Sequence, residues 1–486
     1  MNRIGSLVLV AAASLSLHAA SADSSWPAWR GPDATGVAAA ANPPTTRSET
    51  RNIKWKPRLA GDGSDSSPIV CKDRIFFQTA VKTDKVVLPP PSPTPTNQAP
   101  PPPAGQQGPP PGDQAPPPPG ERQGPPPGDR PGPPPGAPGQ RPPRGGMAPP
   151  AIPTNIFKFN LVCVDRNSGK TLWEKTAAEA LPLQGHHPDH GFASFSPVTD
   201  GKRVWANFGS QGLYCYDFDG NLVWKRDLVK LKSMFGEAGS LALAGNAVVV
   251  VADNDLESWI FSFNKDTGDL LWKKRRDEKS SFSTPLVVTS GGAAQIITGA
   301  SRVRSYDAKT GDIVWECDKT VQNGISTPVA SADLVFFANG TRGSGALQAV
   351  NLGKTGILAD TNALAWQSKD VVPFVASPLL YGPRIYFASA TPARLSCFDA
   401  KTGKPYYSKQ PLDQFKDIYA SPVGAADKVY LTGRNGLTYV LKNADTFEIL
   451  ATNKLDDAID CTPAIAGNEL FLKGKQYLYC VTEFKQ

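Results

Sequence analysis

Three imidazoles and a carboxylate fall within five residues of this chain, in the run Gln184-Gly-His186-His187-Pro-Asp189-His190-Gly191. Zn²⁺ and Cu²⁺ both accept such ligands. The chain has four histidines; the remaining one, His18, lies in a segment read below as a cleaved leader. Adjacent side chains at 186 and 187 cannot easily point at one ion, and no second cluster completes a coordination shell. The expected role of His186, His187 and His190 is therefore to fix a loop through hydrogen bonds, with metal ligation as the alternative. No residue is assigned a catalytic or cofactor-binding role.

The elements that must position this loop come from a pattern that returns at intervals of roughly 44 residues. Each copy opens on a Ser/Thr-Pro step: Ser67-Pro68, Ser196-Pro197, Thr284-Pro285, Thr327-Pro328, Ser377-Pro378, Ser421-Pro422 and Thr462-Pro463. Copies close on a turn followed by an aromatic residue, as in Asp165 to Gly169 before Trp173, Asp217 to Gly220 before Trp224, and Asn264 to Gly268 before Trp272. Asp307 to Gly311 before Trp315 and Asp399 to Gly403 before Tyr407 continue the series, and Trp366 holds the same place in another copy. Each unit reads as four short antiparallel strands. The proline begins the innermost strand, where a missing N–H removes no ladder bond. The turn Asp caps a hairpin, the glycine takes positive φ, and the Trp fills the gap to the next unit.

The count is eight. The copy near Gly239-Ser240 lacks the proline but keeps the Gly268/Trp272 hairpin, and the last copy, Cys461 to Val481, has three strands. Its missing strand matches Asn52-Ile-Lys-Trp55-Lys at the other end of the chain. Pairing the two would close the ring and remove both sheet edges. The expected fold is all-β: an eight-bladed β-propeller of four-stranded antiparallel blades over residues 51–486, closed by its N-terminal strand. A WD40 ring is disfavoured, because no Trp-Asp dipeptide closes a blade.

The seven cysteines follow the repeat register. Cys163, Cys215 and Cys397 each precede the turn Asp by two residues, Cys480 holds the matching place, and other copies put Ser262, Ser305, Ala349 or Val440 there. A site that accepts Cys, Ser, Ala and Val is small and buried, so buried thiols rather than disulfides are expected.

Residues 1–22 read as a signal peptide: Arg3 is the only charge, Ile4 to Leu17 is apolar, and Ala20-Ser-Ala22 fits a signal-peptidase site. No cysteine stands near the cut to carry a lipid. The mature chain is expected in the periplasm or outside the cell, with no integral membrane segment. Residues 23–50 form an N-terminal leader. Residues 82–155 are a proline-rich insertion within the first blade, expected to be a disordered or polyproline-II arm; about 29 of the chain's 48 prolines fall between 89 and 153. Glycine does not recur every third residue there, which excludes collagen. The formal charge of +7 is spread without a basic patch interleaved with aromatics, so nucleic acid is not an expected partner. Lys273-Lys-Arg-Arg276 is the one basic run, and it reads as a solvated blade edge.

The Ser/Thr-Pro opening and the Asp-Ala-Lys-Thr-Gly-x-x-x-Trp closing, nearly ideal from Asp307 to Trp315, resemble the quinoprotein-type (PQQ-like) propeller repeat. The leader Trp26-Pro-Ala-Trp29-Arg-Gly-Pro32 resembles the opening of exported bacterial propellers of this type. One branch, the PQQ-dependent alcohol dehydrogenases, implies a quinone beside a vicinal Cys-Cys disulfide and Ca²⁺ held by Glu, Asn and Asp. No two cysteines here are adjacent, and no quinone or calcium ligand carries over. The other branch, the outer-membrane assembly factor BamB, implies a non-catalytic eight-bladed scaffold; its members are lipoproteins, and this chain has no lipidation cysteine.

The reading is therefore an exported, non-enzymatic, monomeric ring without cofactor that binds a protein or a cell-envelope component. In a propeller, blade-to-blade loops and second-to-third-strand loops share a face, so the proline-rich arm and the histidine loop should be neighbours there. The alternative is a PQQ- or metal-dependent activity at the channel mouth.

Overall fold

The computed structural model describes residues 24–61, 64–87, 150–317, 324–341, 344–359, 361–369 and 374–484. The expected signal peptide and the proline-rich residues 88–149 lie outside them. Among the described residues the strands form eight sheets arranged as successive blades. Blade 1 consists of Ile69–Cys71, Arg74–Val86, Asn155–Asp165 and Thr171–Ala180. Blades 2 to 7 repeat the order, from Val198–Thr199 in blade 2 to Ile449–Lys454 in blade 7. Blade 8 combines Ala464–Ala466, Glu469–Lys473 and Leu478–Val481 with the N-terminal strand Ile53–Trp55. Ile53 pairs with Val481 and Trp55 with Cys480, antiparallel, as ring closure requires.

One hydrogen-bond circuit joins the eight blades at the axis. The amide of Ser67 donates to Ser196 Oγ, Ser196 to Ser240, Ser240 to Thr284 and Thr284 to Thr327, at 2.9–3.1 Å. Thr327 continues to Ser377, Ser377 to Ser421, Ser421 to Thr462, and Thr462 returns to Ser67, at 2.8–3.1 Å. This explains the Ser/Thr of every opening step. The following proline lacks a donor, so the strand start must be anchored by the residue before it. Ser240, without a proline, keeps its place because its hydroxyl is what the circuit needs.

At the periphery the turn and the aromatic residue work across the blade boundary. Trp55 Nε1 donates to the Arg166 carbonyl, Trp173 to Phe218, Trp224 to Lys265, Trp272 to Ala308 and Trp366 to Ala400, at 2.8–3.1 Å. Each acceptor lies in the turn of the next blade, and each indole lies over that turn's glycine. A Cβ at Gly169, Gly220, Gly268, Gly311 or Gly403 would stand 2.5–2.9 Å from the ring of Trp55, Trp173, Trp224, Trp272 or Trp366. These glycines also have φ between +69° and +80°, so both space and backbone demand glycine. Directly across the sheet from the aromatic position stands the small residue: Cys163 opposite Trp173, Cys215 opposite Trp224, Ser262 opposite Trp272, Ala349 opposite Trp366, Cys397 opposite Tyr407. All seven cysteines are buried and none forms a disulfide; burial pushes the Cys163, Cys215 and Cys397 thiols up to about 12.

Two departures from the repeat have physical causes. In blade 5 the closing hairpin is lengthened, and Gly356–Ile357 leaves it to pair in parallel with the outer strand of blade 4, Ile313–Cys317. That displaces the turn that would accept Trp315 Nε1, which is buried without a hydrogen-bond partner. In blade 1 the second and third strands pair outward as far as Val86 and Asn155. The ladder thus takes in residues that composition groups with the insertion, with Lys82 paired to Phe157 and Val86 to Asn155.

The basic run needs correction. Lys273 and Arg275 face solvent, but the Arg276 side chain is wholly buried, with Nε 2.7 Å and Nη2 3.0 Å from the Asp253 carboxylate. Its Nη1 donates to Thr298 and Tyr306. Strand alternation after buried Trp272 turns position 276 inward, and Asp253, just past the second strand of the same blade, supplies the charge that burial demands.

Candidate functional site

The histidine loop lies between the outer strand of blade 1 and the inner strand of blade 2, so it stands at the axial end of the blades. Its histidines are held locally. Nδ1 of His186 donates to the carbonyl of His187 (2.8 Å), and Nδ1 of His190 to that of Gly191 (2.7 Å). His187 Nδ1 accepts the Asp189 amide at 3.2 Å. His186 packs edge-on against Phe192, with ring centroids 4.4 Å apart. Burial pushes the His190 imidazole down to about 4, so it is neutral at physiological pH. The His186 and His190 centroids are 6.3 Å apart. Among the described residues no three His, Cys, Asp or Glu side chains are grouped to hold a metal ion.

Asp189 does what the histidines do not: it reaches across the ring. Its carboxylate accepts Arg434 Nη2 and the Tyr419 hydroxyl, both at 2.9 Å. Arg434 and desolvation act on it in opposite directions, and the arginine holds its carboxyl below the usual range. Arg434 also binds Asp460 at 2.7 Å and lies 4.1 Å over the Tyr419 ring. Lys475 contacts Asp65 at 2.5 Å and Asp460 at 3.5 Å. Burial nevertheless pushes the Asp65 carboxyl up to about 6. Residues from blades 7 and 8 and from the segments entering blades 1 and 2 thus form one charge network at the channel mouth. Sequence reasoning missed it, because none of its basic members stands near a carboxylate partner in the chain.

Residues 150 and 151, just ahead of the third strand of blade 1, meet the histidine loop. A Cβ at Gly185 would stand 2.5 Å from the carbonyl of Ala151 and 2.7 Å from Pro150, where the chain returns to blade 1. The loop is tied onward: Ser233 N donates to Gln184 Oε1 (2.7 Å), His187 N to the Phe235 carbonyl (3.0 Å), and Asp255 N to that of Lys232 (2.8 Å). One connected layer of loops therefore covers blades 1, 2 and 3.

The leader occupies the opposite end of the channel. Trp26 exchanges both backbone hydrogen bonds with Val70 of blade 1, and the Pro27 carbonyl accepts Thr199 N of blade 2. Three residues on, the buried Arg30 donates to the Pro378 carbonyl of blade 6. Gly36 and Ala38 then bond Gly424 of blade 7. Blades 2 and 6 are diametrically opposed in a ring of eight, so the leader crosses the axis. Gly31, at φ +82°, lets the turn fold onto Trp26, whose ring a Cβ there would meet at 2.9 Å.

A quinone with calcium does not fit this donor set. The carboxylates that line the channel, Asp65 and Asp460, already face Lys475 and Arg434, whose positive charges oppose a bound cation.

The eight blades, the Ser/Thr circuit and the Trp-on-glycine boundaries define a PQQ-like β-propeller. A family model described as outer membrane protein assembly factor BamB matches residues 158–409 and 257–484, and the chain belongs to that family. The crystal structure of BamB from Moraxella catarrhalis superposes with a TM-score of 0.48 and 13% identity, over 66% of this chain and 93% of that one. The computationally designed Ika8 protein gives a TM-score of 0.47 and 13% identity, over 68% and 94%. Comparison with curated protein sequences finds no match. Among the described residues no helix is long and apolar enough to cross a membrane.

Proposed function

We propose that this chain is an exported, non-enzymatic scaffold that holds another protein or a cell-envelope component on the face bearing the arm and the histidine loop. One observation carries the reading. Ile152, Leu183, Met234 and Leu256 project from the cross-tied loop layer and are between 46% and 65% exposed. Large aliphatic side chains presented together on fixed loops favour association, since water leaves them on contact. Membership in the BamB family supports the same class of role. The charged groups of the mouth engage one another, so they serve to fix the loops. Export follows from residues 1–22, and the ring acts as a monomer.

The test is photo-crosslinking in living cells from positions 183 and 234, with position 449 on the outer strand of blade 7 as control. A discrete protein or envelope adduct from the first two positions, reproduced with purified components and lost in Leu183→Asp/Met234→Asp, is the expected result. Equal adducts from all three positions would overturn the reading. A thermal melt with PQQ plus Ca²⁺, and separately with Zn²⁺ or Cu²⁺, tests the enzymatic alternative. A ligand at a hundred times its Kd stabilises by about 2.7 kcal/mol, and such a shift with PQQ would replace the scaffold by an oxidoreductase.

A further inference from the structure

The channel itself holds a partly open cavity, and its lining has a definite chemical character. It encloses about 130 Å³. Its wall is the circuit of eight Ser and Thr hydroxyls; Trp29 of the leader lines it where the leader crosses the axis, and Tyr419, Asp65 and Asp460 line it at the mouth. Each circuit hydroxyl takes an amide hydrogen from the neighbouring blade. Each therefore keeps its own hydrogen to donate, and all but Thr327, which also accepts the Ser283 hydroxyl, keep a second lone pair. All eight residues are buried, so these groups need partners inside the lumen.

Charge selects among possible occupants. Asp65 and Asp460 present acceptor oxygens to the cavity but are balanced by Lys475 and Arg434. An anion would meet the two carboxylates, and a cation would meet the lysine and the arginine. An uncharged ligand rich in hydroxyls avoids both penalties and can donate to the carboxylates while exchanging hydrogen bonds with the hydroxyl wall. Trp29 and Tyr419 are only half-buried, and aromatic faces complement the C–H face of a sugar ring. The cavity size suits a single ring.

We infer that the channel binds a small neutral polyol of monosaccharide size, inserted through the mouth between Tyr419 and Asp65 and resting toward Trp29. This site is independent of the loop surface proposed above, so failure of one leaves the other standing.

The experiment titrates the mature chain with D-glucose, N-acetyl-D-glucosamine and myo-inositol, read by saturation-transfer NMR and calorimetry. Inorganic phosphate and tetramethylammonium serve as charged controls. Ala238, which also lines the cavity, is changed in Ala238→Phe to fill the lumen while leaving the hydroxyl circuit intact; Trp29→Ala removes the aromatic platform. The expected result is saturable binding of at least one polyol, weakened at least tenfold in Ala238→Phe, with the melting temperature of that variant within a few degrees of the parent. Trp29→Ala should weaken it similarly. The inference is overturned if no polyol saturates, if a charged control binds in their place, or if a polyol binds undiminished to the folded Ala238→Phe variant. Crosslinking from positions 183 and 234 in Ala238→Phe should remain as in the parent.

Discussion

At the scale of single residues, the tryptophans that close the blades show how one side chain serves two units. Trp272 gives its ring to Gly311 and its Nε1 hydrogen to Ala308 of the next blade, whereas Trp315 is wholly buried and its Nε1 has no acceptor. Trp272→Phe should therefore cost about 1 kcal/mol more than Trp315→Phe, the net value of a hydrogen bond, as measured by denaturant unfolding of the two variants. His190 gives a second prediction. The folded imidazole has its pKa lowered from 6.5 to about 4, so below pH 6.5 the unfolded chain takes up a proton that the folded chain refuses. Its contribution is fully present above pH 6.5 and is lost as pH falls toward 4, at most about 3 kcal/mol. In His190→Asn, which keeps a donor for the Gly191 carbonyl, the melting temperature should fall less steeply over that window; an unchanged slope would show that His190 titrates normally. The histidine cluster and its loop-fixing hydrogen bonds were legible in the sequence, but the reach of Asp189 across the ring was not, since nothing near it in the chain marks Arg434 and Tyr419 as its partners.

At the scale of elements, closure rests on Ile53–Trp55, a strand contributed from beyond the first blade. Without it, Leu478–Val481 would expose an unpaired edge, and the Gly169 turn would lose Trp55. A chain starting at Arg51 retains the strand and lacks the leader; one starting at Arg58 lacks both. The second should be less stable to denaturant than the first by at least the roughly 3 kcal/mol that loss of a packed Trp brings, and should self-associate in sedimentation. The strand was readable because Trp55 matches a repeat position whose partners are missing at the other terminus. The leader's path was not. Its aromatic and arginine content marks a packed segment, but nothing local says that Pro27 and Arg30 bind opposite blades.

At the scale of the whole molecule, the arm leaves blade 1 through a paired hairpin that ends at Val86 and Asn155, far from the Ser/Thr circuit. Replacing residues 88–149 by Asn-Gly should leave the melting temperature within a few degrees, because loop-closure entropy changes only slowly with length; calorimetry of the two proteins checks this. Blade number, ring closure, turn chemistry and the small site opposite each Trp were determined by the sequence itself, because each depends on contacts within a repeat or between successive repeats and so recurs with a period. Only the tertiary structure decided the rest. Asp189 and Arg434 are 245 residues apart, Arg276 meets Asp253 across a hairpin that hides both, and Trp29 lines a channel whose walls come from all eight blades. Such partners occur once each, at separations set by the closing of the ring, and a pair without a period leaves no pattern along the chain.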